Sequence, residues 1–160
     1  MTDPVVDLVR ARVVAGSVPG ARADAARLAL CIEGGAMRGV VSAGMISAIE
    51  QLRLLSAFDL VIGSSAGAAN GAYLVAGMGT FGSTIYYENI NNRSFADIRR
   101  ALARRPVVDL DFLVRDVMVR QKPLDTTAIL GSPIPLALCN AFGFGGSVAS
   151  IALRVAPSVP

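Results

Sequence analysis

The sequence predicts an α/β domain in three layers, a parallel sheet with helices on both faces. Two short, mainly apolar runs, Leu28–Ile32 and Asp59–Ile62, each lead into a glycine turn and then into a segment with helical spacing. Continuous apolar runs are typical of strands buried on both faces, and the order strand, helix, strand, helix is typical of a parallel layer. The 160 residues suffice for one domain with a core but not for two.

The N-terminal residues 1–27 are predicted to be a helical leader outside this sheet. Residues 4–15 and 21–27 have helical spacing, and the loop Gly16–Gly20 separates them. Because no apolar stretch of signal-peptide length follows Met1, we expect a cytoplasmic protein.

Two helices are expected after the first two strands. The first runs from about Gly39 to Leu52, and the second, from Ser65 to about Met78, contains mostly small residues that allow close packing on a sheet. The first helix should bury a broad apolar face made of Val40, Ala43, Met45, Ile46, Ile49 and Leu52.

The second half of the chain is predicted to hold two more helices and two more strands. The polar-faced helices lie within 94–120 and break at Arg105-Pro106, because the residue before a proline resists the helical conformation. The strands are expected at 134–139 and 147–155. A short sheet of this kind has unpaired edge strands, which favour self-association.

Charged side chains are absent from two tracts of 28 residues each, Leu60–Tyr87 and Thr126–Leu153. Both tracts are long enough to span a membrane, but their glycine and proline content favours buried elements of the sheet. Elsewhere four arginines cluster near one helix face, where a solvated surface is the ordinary interpretation and contact with an anionic membrane surface is the alternative. No aromatic platform accompanies them, so nucleic acid is not an expected partner. The four are Arg99, Arg100, Arg104 and Arg105.

The chain contains no histidine. This excludes Ser-His-Asp and Cys-His catalytic sites and removes the commonest metal ligand, so we expect neither a metal nor a cofactor. Cys31 and Cys139 lie in apolar sequence without zinc-site spacing, and we expect both to be buried free thiols.

The strongest candidate site is the turn Gly63-Ser64-Ser65-Ala66-Gly67, between an apolar strand and a helix of small residues. A Gly-x-Ser-x-Gly turn in this context is typical of a nucleophile elbow, whose glycines let strand and helix pass close together. Ser65 Oγ would stand at the helix N-terminus, where free amides favour developing negative charge. The alternative is a structural glycine turn.

A second glycine-rich turn, Glu33–Gly39, ends the preceding strand. Its backbone N–H groups can converge on one point and form an oxyanion hole or a phosphate cradle. A dinucleotide site has less support, because Gly-Gly-x-x-x-Gly misses that fingerprint and no acidic residue ends the second strand. Arg38 is either a solvated residue at the helix start or one that holds the loop or meets an anionic head group.

Taken together, the turns Glu33-Gly34-Gly35-Ala36-Met37-Arg38-Gly39 and Gly63-Ser64-Ser65-Ala66-Gly67 resemble those of the patatin-like phospholipase family. The likeness covers about residues 28–136, and members of that family are lipid acyl hydrolases that use a Ser-Asp dyad without histidine. Ala36 stands where the family usually has a third glycine. The resemblance implies a lipid or phospholipid ester as substrate, Ser65 as nucleophile, an oxyanion hole at Gly34, Gly35, Ala36 and Gly39, and supporting roles for Arg38, Gly63 and Gly67.

The sequence does not assign the general base of such a dyad. In the family it lies in an Asp-Gly turn, and this chain has no Asp-Gly. Asp59 begins the strand that ends in the serine turn, so it would lie roughly 13 Å from the site, at the wrong end of the sheet. Asp125 is expected to cap a helix. Four other aspartates fall in exposed helical sequence, namely Asp97, Asp109, Asp111 and Asp116.

The last residues, 137–160, are predicted to be a separate tail. Its segment Asn140-Ala141-Phe142-Gly143-Phe144-Gly145-Gly146-Ser147 resembles the carboxyl-terminal end of β-ketoacyl synthases over about 139–155, and a glycine-rich hairpin is the alternative. The patatin-like domain would then be truncated. We therefore expect an acyl hydrolase impaired by a missing aspartate, with an inactive fragment that binds lipid or protein and a phosphate- or nucleotide-binding module as alternatives.

Overall fold

The computed structural model describes residues 3–141 and 148–153, and the fold is mixed α/β. Four strands lie in the spatial order β1 (Ala29–Ile32), β2 (Leu60–Ser64), β3 (Leu136–Ala141) and β4 (Val148–Leu153). The first three are parallel, and β4 pairs antiparallel with β3. The predicted parallel α/β sheet and its four strands are confirmed. The glycine turn 142–147 and residues 154–160 of the predicted tail lie outside the described residues, as does the side chain of Cys139.

Helical segments connect these strands. The described α-helices are α1 (Pro4–Val14), α2 (Gly39–Gln51), α3 (Ala66–Val75), α4 (Gly79–Ser83) and α5 (Thr126–Gly131). Short 3-10 helices cover Ala36–Arg38, Leu55–Ala57 and Ile98–Ala103, and π-helical segments cover Ile85–Asn89 and Phe112–Gln121. The predicted helix pair within 94–120 is therefore present on both sides of Pro106, but as 3-10 and π-helical turns. Among the described residues, no helix combines the length and the apolar character needed to cross a membrane.

The core forms where α3 crosses one face of the sheet. Ile32, Val61 and Leu136 alternate onto this face from three neighbouring strands and are buried. Gly71 of α3 lies directly against them, since a Cβ at that position would be 3.2 Å from Val61 Cγ1. Burial of each such aliphatic side chain contributes about 1.5–3 kcal/mol. This packing determines how closely α3 lies on the face of the sheet.

The opposite face of the sheet is more open. Ala29 and Cys31 alternate onto it from β1, and both are exposed. The expectation that Cys31 is a buried thiol is therefore wrong, because only every second residue of the edge strand β1 faces α3. The predicted helical layer is found on the α3 face, while Ala29 and Cys31 leave the β1 edge of the other face accessible.

Helix α2 packs against α3 and α4 through its small residues. Ser42, Ala43 and Ile46 are buried in this contact. The predicted apolar face is correct for Ala43 and Ile46 but wrong for Val40, Met45 and Leu52, which are exposed by 45%, 61% and 65%. The apolar residues of α2 occur on all sides of the helix, so their spacing in the sequence could not identify which side is buried.

A buried guanidinium ties the N-terminal segment to the start of β2. Arg12 of α1 forms a bidentate pair with Asp24, and it also donates to Asp59 Oδ2 at 2.8 Å. The remaining donors reach the carbonyl oxygens of Ala57 and Ala26. All five N–H groups of Arg12 are thus satisfied, which offsets the cost of burying its charge.

Arg22 completes this cluster from the other side. Its Nε donates to Asp59 Oδ1 at 2.7 Å, and its other nitrogens donate to carbonyl oxygens of Ser17, Ser56 and Phe58. The predicted helix over 21–27 is wrong, because after the turn at Ala21 these residues run without helical structure and bring Arg22 and Asp24 to the buried pair. The path of residues 21–27 is determined by long-range ion pairs and not by the local spacing of apolar residues.

The ion pairs keep the carboxylates of this cluster ionised. Burial opposes ionisation of Asp59, but hydrogen bonds from the Leu28 amide, Arg12 and Arg22 outweigh it and lower its pKa to about 2. The bond from Arg12 lowers the pKa of Asp24, and the bond to Asp24 raises the pKa of Arg12 against the effect of burial. Folding therefore favours the charged form of all three groups.

Acid should weaken the fold through Asp59. Its pKa falls from 3.8 to about 2 on folding, so its contribution of about 2 kcal/mol is complete above pH 4 and disappears as the pH falls through 2. Urea unfolding at pH 5 and pH 2 should show that Asp59→Asn loses this part of the pH dependence. Asp111→Asn, which removes an exposed partner of Arg115, should keep it. Equal pH dependence in the two variants would contradict this account.

Candidate active site

Ser65 lies in the turn between β2 and α3 with a strained backbone. Its φ is 52° and its ψ is −121°, a conformation that residues other than glycine rarely adopt and that costs of order 1–3 kcal/mol. Its side chain does not cap α3, and among the described residues its Oγ makes no hydrogen bond. The strand on one side and the helix on the other hold the hydroxyl at the carboxyl edge of the sheet.

The two glycines that flank this turn are required by close backbone contacts. A Cβ at Gly67 would collide with the carbonyl oxygens of Ile32 and Glu33, and would lie 2.8 Å from the Glu33 carbonyl carbon. A Cβ at Gly63 would lie 2.6 Å from Ala68 Cα. The first turn of α3 therefore rests directly on the ends of β1 and β2, as the Gly-x-Ser-x-Gly pattern predicts.

The second glycine turn lies beside the serine. A Cβ at Gly34 would be 2.8 Å from the Ser64 carbonyl oxygen and 2.9 Å from Ser65 Cβ. A Cβ at Gly39 would be 2.8 Å from Ala66 Cβ. The structure thus brings both ends of the Gly34–Gly39 loop against the turn that carries Ser65.

Inside this loop the chain bends through unusual conformations. Gly35 has a φ of 138°, and Ala36 has a φ of 51°. Ala36, the departure from the family pattern, therefore keeps a left-handed conformation in which its methyl group costs roughly 1 kcal/mol. The Arg38 side chain lies over Gly35, with Nε 3.4 Å from where a Cβ would be, so this exposed arginine also contacts the loop.

A buried polar network that the sequence analysis missed joins α2 to α3 behind the site. Asn70 Nδ2 donates to the Gly39 carbonyl oxygen and to Ser42 Oγ, each at 3.0 Å, and Ser42 Oγ donates to the same carbonyl. Tyr86 Oη donates to Asn70 Oδ1 at 3.3 Å. Burial raises the pKa of Tyr86 more than this bond lowers it, so its hydroxyl stays protonated. The sequence offers one signal for this network: Asn70 is a polar residue within a predicted buried helix of small residues, and a buried amide needs hydrogen-bond partners.

No carboxylate reaches Ser65 among the described residues, which include all nine aspartates of the chain. Asp59 is held by Arg12 and Arg22 at the start of β2, as its place in the strand predicted. Asp125 caps α5 by accepting from the Ala128 amide, which confirms that prediction. The other predicted exposed aspartates pair with arginines: Asp97 with Arg99, Asp109 with Arg100, Asp111 with Arg115 and Asp116 with Arg120.

Comparison with known proteins agrees with the geometry. The family model described as patatin-like phospholipase matches residues 30–137, about two-thirds of the chain. The chain belongs to the patatin-like phospholipase family. The match includes both glycine turns and ends within β3. It does not support the resemblance of 139–155 to β-ketoacyl synthases.

A similar sequence comes from Escherichia coli (strain K12). It is the uncharacterized protein YjjU, 33% identical over 106 residues, which make up 65% of this chain and 29% of the relative. The chain thus spans less than a third of that relative's length. No solved structure matches the chain.

The close approach at Gly67 predicts a large difference between two glycine substitutions. Gly67→Ala should destabilise the fold by about 1–3 kcal/mol, because its methyl group meets backbone that cannot move without separating α3 from β1. Gly44→Ala in α2 should stabilise it by up to about 1 kcal/mol, because helix propensity improves and no atom lies within 4 Å. Urea unfolding measures both. Similar free energies of unfolding for the two variants would refute the close contact at Gly67.

Proposed function

We propose that this patatin-like domain is a lipid acyl hydrolase with Ser65 as its nucleophile. The observation that carries the proposal is the juxtaposition of a strained serine turn with a glycine loop, where a Cβ at Gly34 would lie 2.9 Å from Ser65 Cβ. Acyl transfer needs a nucleophile next to a group of donors aimed at the developing oxyanion. The two turns supply both parts.

In this mechanism Ser65 Oγ attacks the carbonyl carbon of a lipid ester. The negative charge that forms on the carbonyl oxygen is stabilised by backbone amides of the Gly34, Gly35, Ala36 and Gly39 loop and by the N-terminal end of α3. The Ser65 hydroxyl loses its proton to solvent, the ester C–O bond breaks, and the alcohol leaves with a proton taken from solvent. The acyl group stays on Ser65 until water attacks it, which releases the fatty acid and restores the hydroxyl.

The strand β2, the serine turn and α3 contain no charged side chain, which suits a fatty acyl ester. No ionisable side chain lies between Leu60 and Asn89 in the sequence except Tyr73, Tyr86, Tyr87 and Glu88. Glu88 pairs with Lys122, and the phenols of Tyr73 and Tyr86 are kept neutral by burial, which raises the pKa of Tyr73 to about 12. An apolar chain is therefore favoured next to Ser65 over an anionic one. Arg38, exposed beside the loop, would meet an anionic head group.

A fluorophosphonate probe should label the wild-type chain at Ser65. Labelling should disappear in Ser65→Ala and persist in Ser64→Ala, because only Ser65 has the strained turn and the adjacent loop. Mass spectrometry of the labelled peptide gives the position. If the folded wild type stays unlabelled, or if Ser65→Ala is labelled as well, Ser65 is not a reactive nucleophile and the domain is a binding module.

The rate of this labelling should depend on hydroxide. Since no described carboxylate contacts Ser65, its alkoxide must come from solvent equilibrium, and the rate should rise about tenfold per pH unit from pH 6 to pH 9. The labelling rate of Ser65→Ala, measured in parallel, corrects for other reactive groups. A plateau below pH 8 would instead reveal a base that acts on Ser65 in solution.

A further inference from the structure

The outward side of α2 is an unusual surface. Of the seven exposed positions in α2 and its C-cap residue Leu52, six are apolar or glycine, and the four large side chains among them are exposed by 45–65%. A solvated helix normally turns polar residues outward, so an exposed apolar side indicates a contact surface. We call this surface the outer face of α2: Val40, Val41, Gly44, Met45, Ala48 and Leu52.

This outer face is continuous with the candidate site. Met37, which is 41% exposed, belongs to the loop beside Ser65 and lies two residues before the first residue of α2. The 13 residues of α2 span about 20 Å, so the outer face extends that far from the loop beside Ser65.

Charges at the two ends of this face favour an anionic partner. Arg38 precedes α2 and Arg53 follows it; both are exposed, and neither forms an ion pair among the described residues. The one acid within α2, Glu50, is directed toward α4, where it accepts from the amides of Gly79 and Thr80 at 2.7 Å. Glu33, the first residue of the loop Glu33–Gly39, forms no ion pair with either arginine.

The arginine cluster singled out from the sequence is a weaker candidate for such a contact. Asp97 neutralises Arg99 at 2.6 Å, and Asp109 lies 3.5 Å from Arg100. Two of its four charges are therefore compensated within the protein, and it stands outside the site region.

We propose that the outer face of α2 is the surface by which this protein lies on an anionic lipid membrane. Its apolar side chains would enter the boundary between head groups and acyl chains, and Arg38 and Arg53 would meet lipid phosphates at either end. The proposal rests on the proposed function, since it presents the Ser65 edge to lipid esters in the membrane.

The test is sedimentation with vesicles of phosphatidylcholine and phosphatidylglycerol in equal amounts. Val41→Glu/Met45→Glu should lower vesicle binding at least about tenfold, because two charges would enter the apolar boundary. The matched control, Ile98→Glu/Leu102→Glu, adds the same charges at positions that are 78% and 89% exposed in the arginine cluster, and it should bind like wild type. Thermal unfolding shows that both variants are folded.

A single substitution tests the charge contribution without adding acid to a helix. Arg53→Gln should lower binding to these vesicles about fivefold and leave binding to pure phosphatidylcholine unchanged. Arg10→Gln removes an exposed arginine from α1 and should change neither. Equal effects of the two substitutions would overturn the assignment of Arg53 to the membrane surface.

Three results would overturn the proposal as a whole. One is a folded wild type that ignores both kinds of vesicle; another is a loss of binding only in the Ile98→Glu/Leu102→Glu variant. The third is a wild-type dimer that Val41→Glu/Met45→Glu makes monomeric, without vesicle binding, since this assigns the outer face to a second copy. Fluorophosphonate labelling of the wild type tests the proposed function separately: labelling without vesicle binding refutes this surface alone, and binding without labelling refutes the hydrolase alone.

Discussion

The contact between the first turn of α3 and the backbone at the end of β1 is the constraint on which the site depends. Gly67 lies so close to the carbonyl groups of Ile32 and Glu33 that no side chain fits there. This approach forces the chain to turn sharply at Ser65, which accounts for its φ of 52°. It also holds Gly34 against the same turn. One packing contact thus positions both Ser65 and the loop beside it, and the surrounding core maintains the strain.

The two ends of β2 differ in charge: ion pairs gather at its start, and the serine turn at its end has none. At the start of β2, Arg12 and Arg22 bind Asp59 and close the end of the sheet with a satisfied ion-pair cluster. At the other end, β2 and α3 supply no charged side chain to the serine turn. Breaking a buried pair of this kind costs roughly 3–5 kcal/mol. The cluster therefore holds the start of β2 in place, and Ser65 follows the other end of this strand. The same separation keeps Asp59 from acting at Ser65.

Much of the fold could be predicted because the relevant signals are local. The apolar runs of β1 and β2 and the glycine spacing of the two turns depend on near neighbours, and all appear in the structure. Residues 21–27 could not be predicted, since their path is chosen by the distant Arg12. The exposed side of α2 could not be predicted for another reason. Its apolar residues lie on all sides of the helix, and which of them are buried depends on where α3 and α4 pack. The Asn70 network likewise exists only once two helices meet.

Positioning and activation of the serine have separate physical origins in this chain. The elbow and the loop are demanded by packing, since Gly63, Gly67 and Gly34 must approach neighbouring backbone for α3 to reach the sheet. Activation requires a base, and no carboxylate among the described residues forms a hydrogen bond with Ser65. An oxyanion hole and substrate binding without an activated nucleophile still give about 10³–10⁴-fold acceleration over water in serine proteases. A domain with this geometry therefore gains from any device that raises the local concentration of ester, and an apolar face beside Ser65 that rests on a lipid surface is such a device.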